Sequence, residues 1–388
     1  MSAQPIGIGV VGLGRAFVLT QSALEQDPRV RLVAACAPRA QSRRAFEARY
    51  PGSRTTDSVA DLCALPGVDL VYVATPHQLH AEHVLAIANS GRHLLVEKPL
   101  AIDLDDALRM QAAVEAAGVQ LVVGPSHGFD APVQLAMRLI AQGTIGPVRM
   151  IQAINYTDFL YRPRRPEELD TAQGGGVVFS QGAHQVDIVR LLAGGAATSV
   201  YAHTGRWDPD RPTEGAYSAM LQFAHGVSAT LTYSGYAHFD TDEWMDWIGE
   251  LGQPKSPGGY GQARRVLAGV GDAAAEAALK ATRTFGGQVT PAPATAHEHF
   301  GPVLVLGGCG DLRLTPHGVW VYGDHERRFE PAPLTGPPRG TLIDAVVAAV
   351  RGDVAPRQSA AWGVATLEIC QAILASARLG EPVRLRYQ

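Results

Sequence analysis

Ile6-Gly-Ile-Gly-Val-Val-Gly12-Leu-Gly14-Arg15 is the stretch that decides the fold. Ile6–Val11 is a short apolar run, and Ala16 to about Glu25 carries helical patterning, giving strand, glycine turn, helix. Gly12 permits a tight turn, and Gly14 lets backbone N–H groups approach a pyrophosphate at a helix amino terminus. Arg15 opens that helix. The third glycine of GxGxxG would fall at position 17, where this chain has Phe17, so the first helix is expected to pack differently on its strand. The expectation is a dinucleotide site lined by Gly12, Gly14, Arg15 and Phe17. The competing reading is a strand–helix turn with no ligand.

Working outward, Val30–Ala37 reads as the second strand. NAD-binding chains usually place Asp or Glu at its end, against the ribose hydroxyls. Here the chain reads Ala35-Cys-Ala-Pro-Arg39, followed by Arg43 and Arg44. Without the acid a 2′-phosphate meets no repulsion, and Arg39 or Arg43 could pair with it, which favours NADP over NAD. Otherwise these arginines decorate an exposed helix start.

Val68–Ala74 is a strand, Thr75-Pro76-His77 a turn and His80–Asn89 a helix; His93–Val96, Asp103–Ala117 and Val119–Val123 continue the alternation. This rhythm predicts a doubly wound parallel sheet over residues 1–125. Thr75, Pro76 and His80 are candidates for the nicotinamide side, although a first-turn histidine is commonly a cap or a surface residue. His93–Val96 runs into Glu97-Lys98-Pro99. Proline cannot extend a ladder, so the chain turns and leaves Lys98 at the carboxyl edge of the sheet, with Glu97 beside it.

After Gly124 the pattern changes to a second domain, 126–388. Ala131–Gln142 reads as a helix, Val148–Tyr156 as a strand and Asp158–Thr171 as an arginine-rich loop. A helix at about Gln181–Leu192 follows Gly174-Gly-Gly176. Strands at Ser199–Arg206, Tyr217–Phe223 and Val227–Ser234 precede a Gly, Pro and Ala-rich stretch, Glu250–His299, open to roles as a lid or an oligomer contact. A hairpin at Asp311–Tyr322 and helices at Thr341–Arg351 and Trp362–Leu379 close the chain.

A hydrophobic fraction of 46%, 18% charged residues and a net charge of -4 describe an ordinary globular protein with no footprint for nucleic acid or anionic membrane. Cys36, Cys63, Cys309 and Cys370 form no CxxC pair and read as reduced, buried thiols. No run resembles a signal peptide or a membrane span, so a cytoplasmic location is expected.

In Ser180-Gln-Gly-Ala-His184-Gln-Val-Asp187, Ser180 and His184 lie one helical turn apart, and Asp187 is placed to accept from the imidazole. Such a histidine could take the proton of a hydroxyl whose carbon gives up hydride, while Lys98 polarises the oxygen. An isolated HxxD is also a common structural pair. No ligand-type spacing such as HExxH is present, so no metal is expected.

GxG after the first strand, Glu97-Lys98-Pro99 and the GGG…GxHxxD run together resemble the glucose–fructose oxidoreductase / inositol dehydrogenase / MocA (Gfo/Idh/MocA) family, over nearly the whole chain including Ser376-Ala-Arg-Leu-Gly-Glu-Pro-Val383. The resemblance implies a Rossmann domain, then an α/β domain on a large, mainly antiparallel sheet whose outer face makes homodimers or homotetramers. It also implies Lys98 and His184 as the catalytic pair. Ser180 stands where the family usually has Asp, and Ser126-His127-Gly-Phe-Asp130 replaces another family segment. That segment, with Tyr156 and the loop bearing Arg162, Arg164 and Arg165, resembles the phthalate 4,5-cis-dihydrodiol dehydrogenase branch. This implies a small, carboxylated substrate bound by His127, Tyr156, Ser180 and the three arginines; the alternative is a solvated loop or subunit contact. NAD-assisted glycoside hydrolysis and a non-catalytic dinucleotide sensor are the competing functions.

Overall fold

The structure is a computed structural model and describes residues 4–289 and 292–388. The chain divides into two compact units. One comprises Met1–Pro125, Ala278–Pro291 and Pro337–Leu367; the other comprises Ser126–Ala277, Ala292–Gly336 and Glu368–Gln388. A division into 1–125 and 126–388 therefore has to be amended, because two later segments rejoin the first unit. Residues 290 and 291 of the stretch left without a role lie outside the described residues.

In the first unit, β1 (Ile6–Val11), β2 (Val30–Cys36), β3 (Arg54–Thr56), β4 (Leu70–Val73), β5 (His93–Val96) and β6 (Leu121–Val123) form one parallel sheet. Its order is β3-β2-β1-β4-β5-β6, the doubly wound order in which connections reverse beside β1. All six residues of β1 are buried, as befits a strand covered on both faces. Helices α1 (Arg15–Gln26), α2 (Ala40–Arg49), α3 (Val59–Ala64), α4 (His80–Asn89) and α5 (Leu104–Ala117) connect the strands. Asp103 caps α5 by accepting from the N–H groups of Asp105 and Asp106. Sequence reading missed β3, a three-residue edge strand of Arg-Thr-Thr with no apolar run to announce it.

In the second unit, helices α6 (Ala131–Ala141) and α7 (Ala183–Ala193) accompany a nine-stranded sheet. Its strands are β7 (Val148–Tyr156), β8 (Ala197–Gly205), β9 (Ala216–Phe223), β10 (Ser228–Ser234), β11 (Val303–Gly307), β12 (Asp311–Thr315), β13 (Gly318–Tyr322), β14 (Arg327–Pro331) and β15 (Val383–Arg384), ordered β14-β13-β12-β11-β7-β10-β9-β8-β15. Every pairing is antiparallel except β7 with β10. The strands alternate buried and accessible residues, so Ile151, Ala153, Leu221, Val303 and Val305 point inward.

The glycine-rich stretch carries α8 (Gln262–Ala268) and the Ala-rich α9 (Ala273–Ala281). The chain closes with α10 (Gly340–Arg351) and α11 (Ala360–Leu379). Contrary to the sequence reading, α11 is long and apolar enough by length and composition to cross a membrane; two-thirds of its apolar window is buried inside the fold, as in a core helix. The cysteines are free, and Cys309 is exposed where a buried thiol was expected.

Candidate active site

The first unit supplies a turn that fits a dinucleotide. Gly12 has φ +97, and a Cβ built there would lie 2.7 Å from the carbonyl oxygen of Ala74, so only glycine lets β1 approach the end of β4 this closely. Gly14 precedes α1 in extended conformation and provides no side-chain cap, and a helix amino terminus of this kind suits a phosphate. Arg15 is the first residue of that helix and is partly accessible. Phe17 does not line this surface. It is fully buried, with its ring 5.4 Å from that of Phe285 and 6.1 Å from Phe46.

Arg43 is occupied near the end of β2: its guanidinium donates to the carbonyls of Ala37 and Pro38 and pairs with Asp57 at 3.5 Å. Arg39 is exposed and donates to the Thr284 hydroxyl at 3.2 Å. Arg39 keeps the position from which a 2′-phosphate could be met, and Arg43 braces the strand–helix turn.

After β4, Thr75 and Pro76 are partly accessible, and the Thr75 hydroxyl meets His83 Nδ1 at 3.1 Å. His80 differs from expectation. It is fully buried, with Nδ1 3.0 Å from the Pro99 carbonyl and Nε2 3.0 Å from that of Thr75. Burial pushes its pKa down to about 4 against the three carbonyls that favour the proton, so the ring is neutral near pH 7. It ties the turn after β4 to the turn that carries Lys98, and it is interior rather than cofactor-facing.

Glu97 is also interior. Its buried carboxylate accepts from Tyr72 Oη at 2.5 Å, Tyr72 meets Thr20 at 3.1 Å, and Arg339 donates to Thr20 at 2.9 Å. Lys98, one residue on, is partly accessible. Sequence spacing placed Glu97 beside Lys98 but gave no sign of the tyrosine that holds it.

In the second unit His184 lies at the start of α7, immediately after a π-helical turn, Val178–Gly182. Such turns recur at functional sites because they break the regular side-chain register. His184 packs its ring 4.7 Å from His127 and 5.0 Å from Phe300. His127 Nδ1 meets the Asp130 carboxylate at 2.8 Å. Asp187, almost wholly buried, accepts from the Ser126 hydroxyl at 2.5 Å. Gly128 is required between them, since a Cβ there would fall 2.2 Å from Asp187 Oδ2. Ser180 donates to the Gly176 carbonyl, and the Tyr156 hydroxyl reaches Thr232 at 3.3 Å.

Asp130 and Phe300 were not anticipated. His127-Gly-Phe-Asp130 repeats the HxxD spacing that singled out His184 and Asp187, so Asp130 had a readable signal; Phe300, far along the chain, had none. His127, Asp130 and Glu298, all buried, each bring a potential metal-ligand atom within 4.8 Å of the others, a grouping that no local spacing announces.

The three loop arginines are engaged by the protein itself. Arg162 donates to Glu250 at 3.0 Å and to Asp158 at 3.2 Å. Burial raises the Glu250 pKa, but adjacent Arg162 outweighs it and holds the carboxyl at about 2. Arg164 lies 3.5 Å over the Phe159 ring and donates to its carbonyl, with burial lowering its pKa to about 10. Arg165 pairs with Glu167 at 3.0 Å. Three guanidiniums were expected for a substrate carboxylate; in the structure each has partners within the protein, namely Glu250, Asp158, Glu167 and Phe159.

Comparison with known proteins agrees with this architecture. Residues 6–125 match the oxidoreductase family, NAD-binding Rossmann fold, and residues 133–253 the GFO/IDH/MocA C-terminal domain. The chain is 43% identical over 371 residues (95% of its length, 94% of the relative) to 1-carboxy-3-chloro-3,4-dihydroxycyclohexa-1,5-diene dehydrogenase of Comamonas testosteroni. It is 40% identical over 146 residues (36% of its length, 42% of the relative) to 1,5-anhydro-D-fructose reductase of Ensifer adhaerens. A crystal structure of a protein from Bordetella bronchiseptica RB50 superposes with a TM-score of 0.94 at 42% identity, covering 98% of this chain and 100% of that one. With the glycine turn, the Lys98 turn and the histidine helix set on the matched domains, this chain belongs to the Gfo/Idh/MocA family of NAD(P)-dependent oxidoreductases.

Proposed function

We propose that this enzyme oxidises a carboxylated cyclic cis-diol, with Lys98 and His184 as the catalytic pair. The observation that carries the substrate class is the 43% identity, running along 95% of the chain, to a dehydrogenase of a carboxylated cyclohexadiene diol. Bound nicotinamide supplies the hydride acceptor. His184 takes the hydroxyl proton, Asp187 steadies its helix, and Lys98 stabilises the negative charge that develops on the alcohol oxygen. The buried His127–Asp130 pair, packed against the His184 ring, fixes that imidazole's position. Tyr156 and Ser180 are the polar contacts for the diol, and Arg162 is left with its exposed edge for the carboxylate.

A cytoplasmic homodimer or homotetramer belongs to the same reading. It is supported by the exposed Met150, Met220, Leu304 and Phe329, which alternation puts on the outer side of the large sheet. Light scattering of the purified protein tests it, and a monomer at micromolar concentration refutes it.

The enzymatic test supplies carboxylated cyclohexadiene cis-diols, inositols and aldoses, and follows reduced cofactor and catechol together. The diols should be turned over, and Lys98→Ala and His184→Ala should each lower kcat by roughly 10²-fold or more. Turnover of inositols alone, or undiminished rates in both variants, would refute the reading.

A further inference from the structure

The segment 278–289 leaves its sequence neighbours and belongs to the first unit. There the Phe285 N–H donates to the carbonyl of Leu13, the residue between the two glycines of the phosphate turn, at 3.3 Å. The Phe285 ring fills the space between α1 and α2 against Phe17, Phe46 and Tyr50, stacking on Tyr50 at 16°. The segment closes on itself, with Val289 N–H donating to Thr282 and Gly287 N–H to Thr284, and Gly286 turns at φ +75.

One residue before Phe285, the Thr284 hydroxyl accepts from Arg39 and donates to the Ala281 carbonyl at 2.8 Å. Arg39 is the N-cap of α2, just after β2, where the adenosine ribose of a dinucleotide is read in this topology. No carboxylate occupies Ala35–Arg39, and nearby Asp57 is paired with Arg43. We propose that Thr282–Gly287 is the wall of the adenosine end of the cofactor site, and that Thr284 positions Arg39 to receive the 2′-phosphate of NADP. Thr284 is a positioning residue. It accepts one guanidinium N–H and leaves the others to form a charge-assisted pair with the phosphate.

The test uses the full chain and two adenosine-half probes that differ only in the phosphate, 2′,5′-ADP and 5′-AMP, titrated calorimetrically without substrate. Wild type should bind 2′,5′-ADP about ten-fold or more tightly than 5′-AMP, the order expected of a hydrogen bond between charged groups. Thr284→Ala should lower the 2′,5′-ADP affinity about three- to ten-fold and leave 5′-AMP within about two-fold, as loss of one orienting hydrogen bond implies. Thr284→Ser should restore wild-type behaviour, and Arg39→Ala should abolish the preference. A wild type indifferent to the 2′-phosphate, or a Thr284→Ala variant that binds both probes equally weakened or unchanged, overturns the proposal. If Thr284→Ala does not fold, Arg39→Lys decides: retained discrimination counts against an oriented guanidinium, and lost discrimination supports it. Because no diol is present, failure here leaves the substrate reading standing, and failure of the diol assay leaves this result standing.

Discussion

Restoring glycine at the third position of the phosphate-turn motif, Phe17→Gly, should damage this protein rather than improve it. The Phe17 ring is wholly excluded from solvent and lies within aromatic contact distance of Phe46 and Phe285. Truncating a buried phenylalanine costs about 3–5 kcal/mol through lost burial and the residual cavity. Glycine inside a helix adds about 1 kcal/mol relative to alanine. Phe17→Gly should therefore lose about 4–6 kcal/mol and Phe17→Ala about 1 less, read as an earlier urea transition with unit-specific probes, since a chain of two units need not unfold in one step. A double-mutant cycle with Phe285→Ala should return a coupling of about 0.5–1.5 kcal/mol, the range for an aromatic pair. Dinucleotide binding should weaken as well, because the Phe285 N–H fixes the Leu13 carbonyl. A Phe17→Gly protein that melts with wild type, or that binds dinucleotide more tightly, would refute the account of this position.

Other perturbations test the site from different sides. His80 is neutral when folded, with its pKa pushed to about 4 by burial, whereas the unfolded chain takes up the proton near pH 6.5. The unfolded state therefore binds more protons between those values, so stability should fall by about 3 kcal/mol as pH drops from 6.5 to 4, and His80→Gln should flatten that part of the stability–pH curve. Gly12→Ala forces a Cβ to 2.7 Å from a backbone oxygen at φ +97, and calorimetry should find dinucleotide binding lost, with stability down by about 2 kcal/mol or more. Arg162→Met strands Glu250 beside Asn155 and should cost about 3–5 kcal/mol, while adding Glu250→Gln should recover much of it; no recovery would show that the pair is not coupled.

What was legible in the sequence had a local cause. The helix His80–Asn89 and the strand Val148–Tyr156 carry their own periodicity and turn signals, and they fold over those residues. His80 itself was misplaced because its three carbonyl partners come from the turns at Thr75 and at Pro99–Leu100, and only the fold brings those turns together. The partners of the arginine loop were hidden for a similar reason: Glu250 stands 88 residues from Arg162, so the neutralising charge lies outside any window of local sequence. Phe285 is the extreme case, since nothing in a glycine-rich stretch shows that one aromatic ring will fill a gap between α1 and α2. Asp130 carried a readable signal, because His127 and Asp130 have the same three-residue spacing as His184 and Asp187 later in the chain.

The first unit is assembled from three separate lengths of chain. Val123 at the outer strand β6 donates to the carbonyl of Gln358, and Gly363 is small because Leu100 and Val123 press against it. A gene fragment ending at Pro125 would encode a nucleotide-binding half with its flank stripped and its aromatic plug gone. Chimeras that exchange whole halves between relatives at that junction should consequently misfold. Successful recombination would have to transplant all three lengths at once.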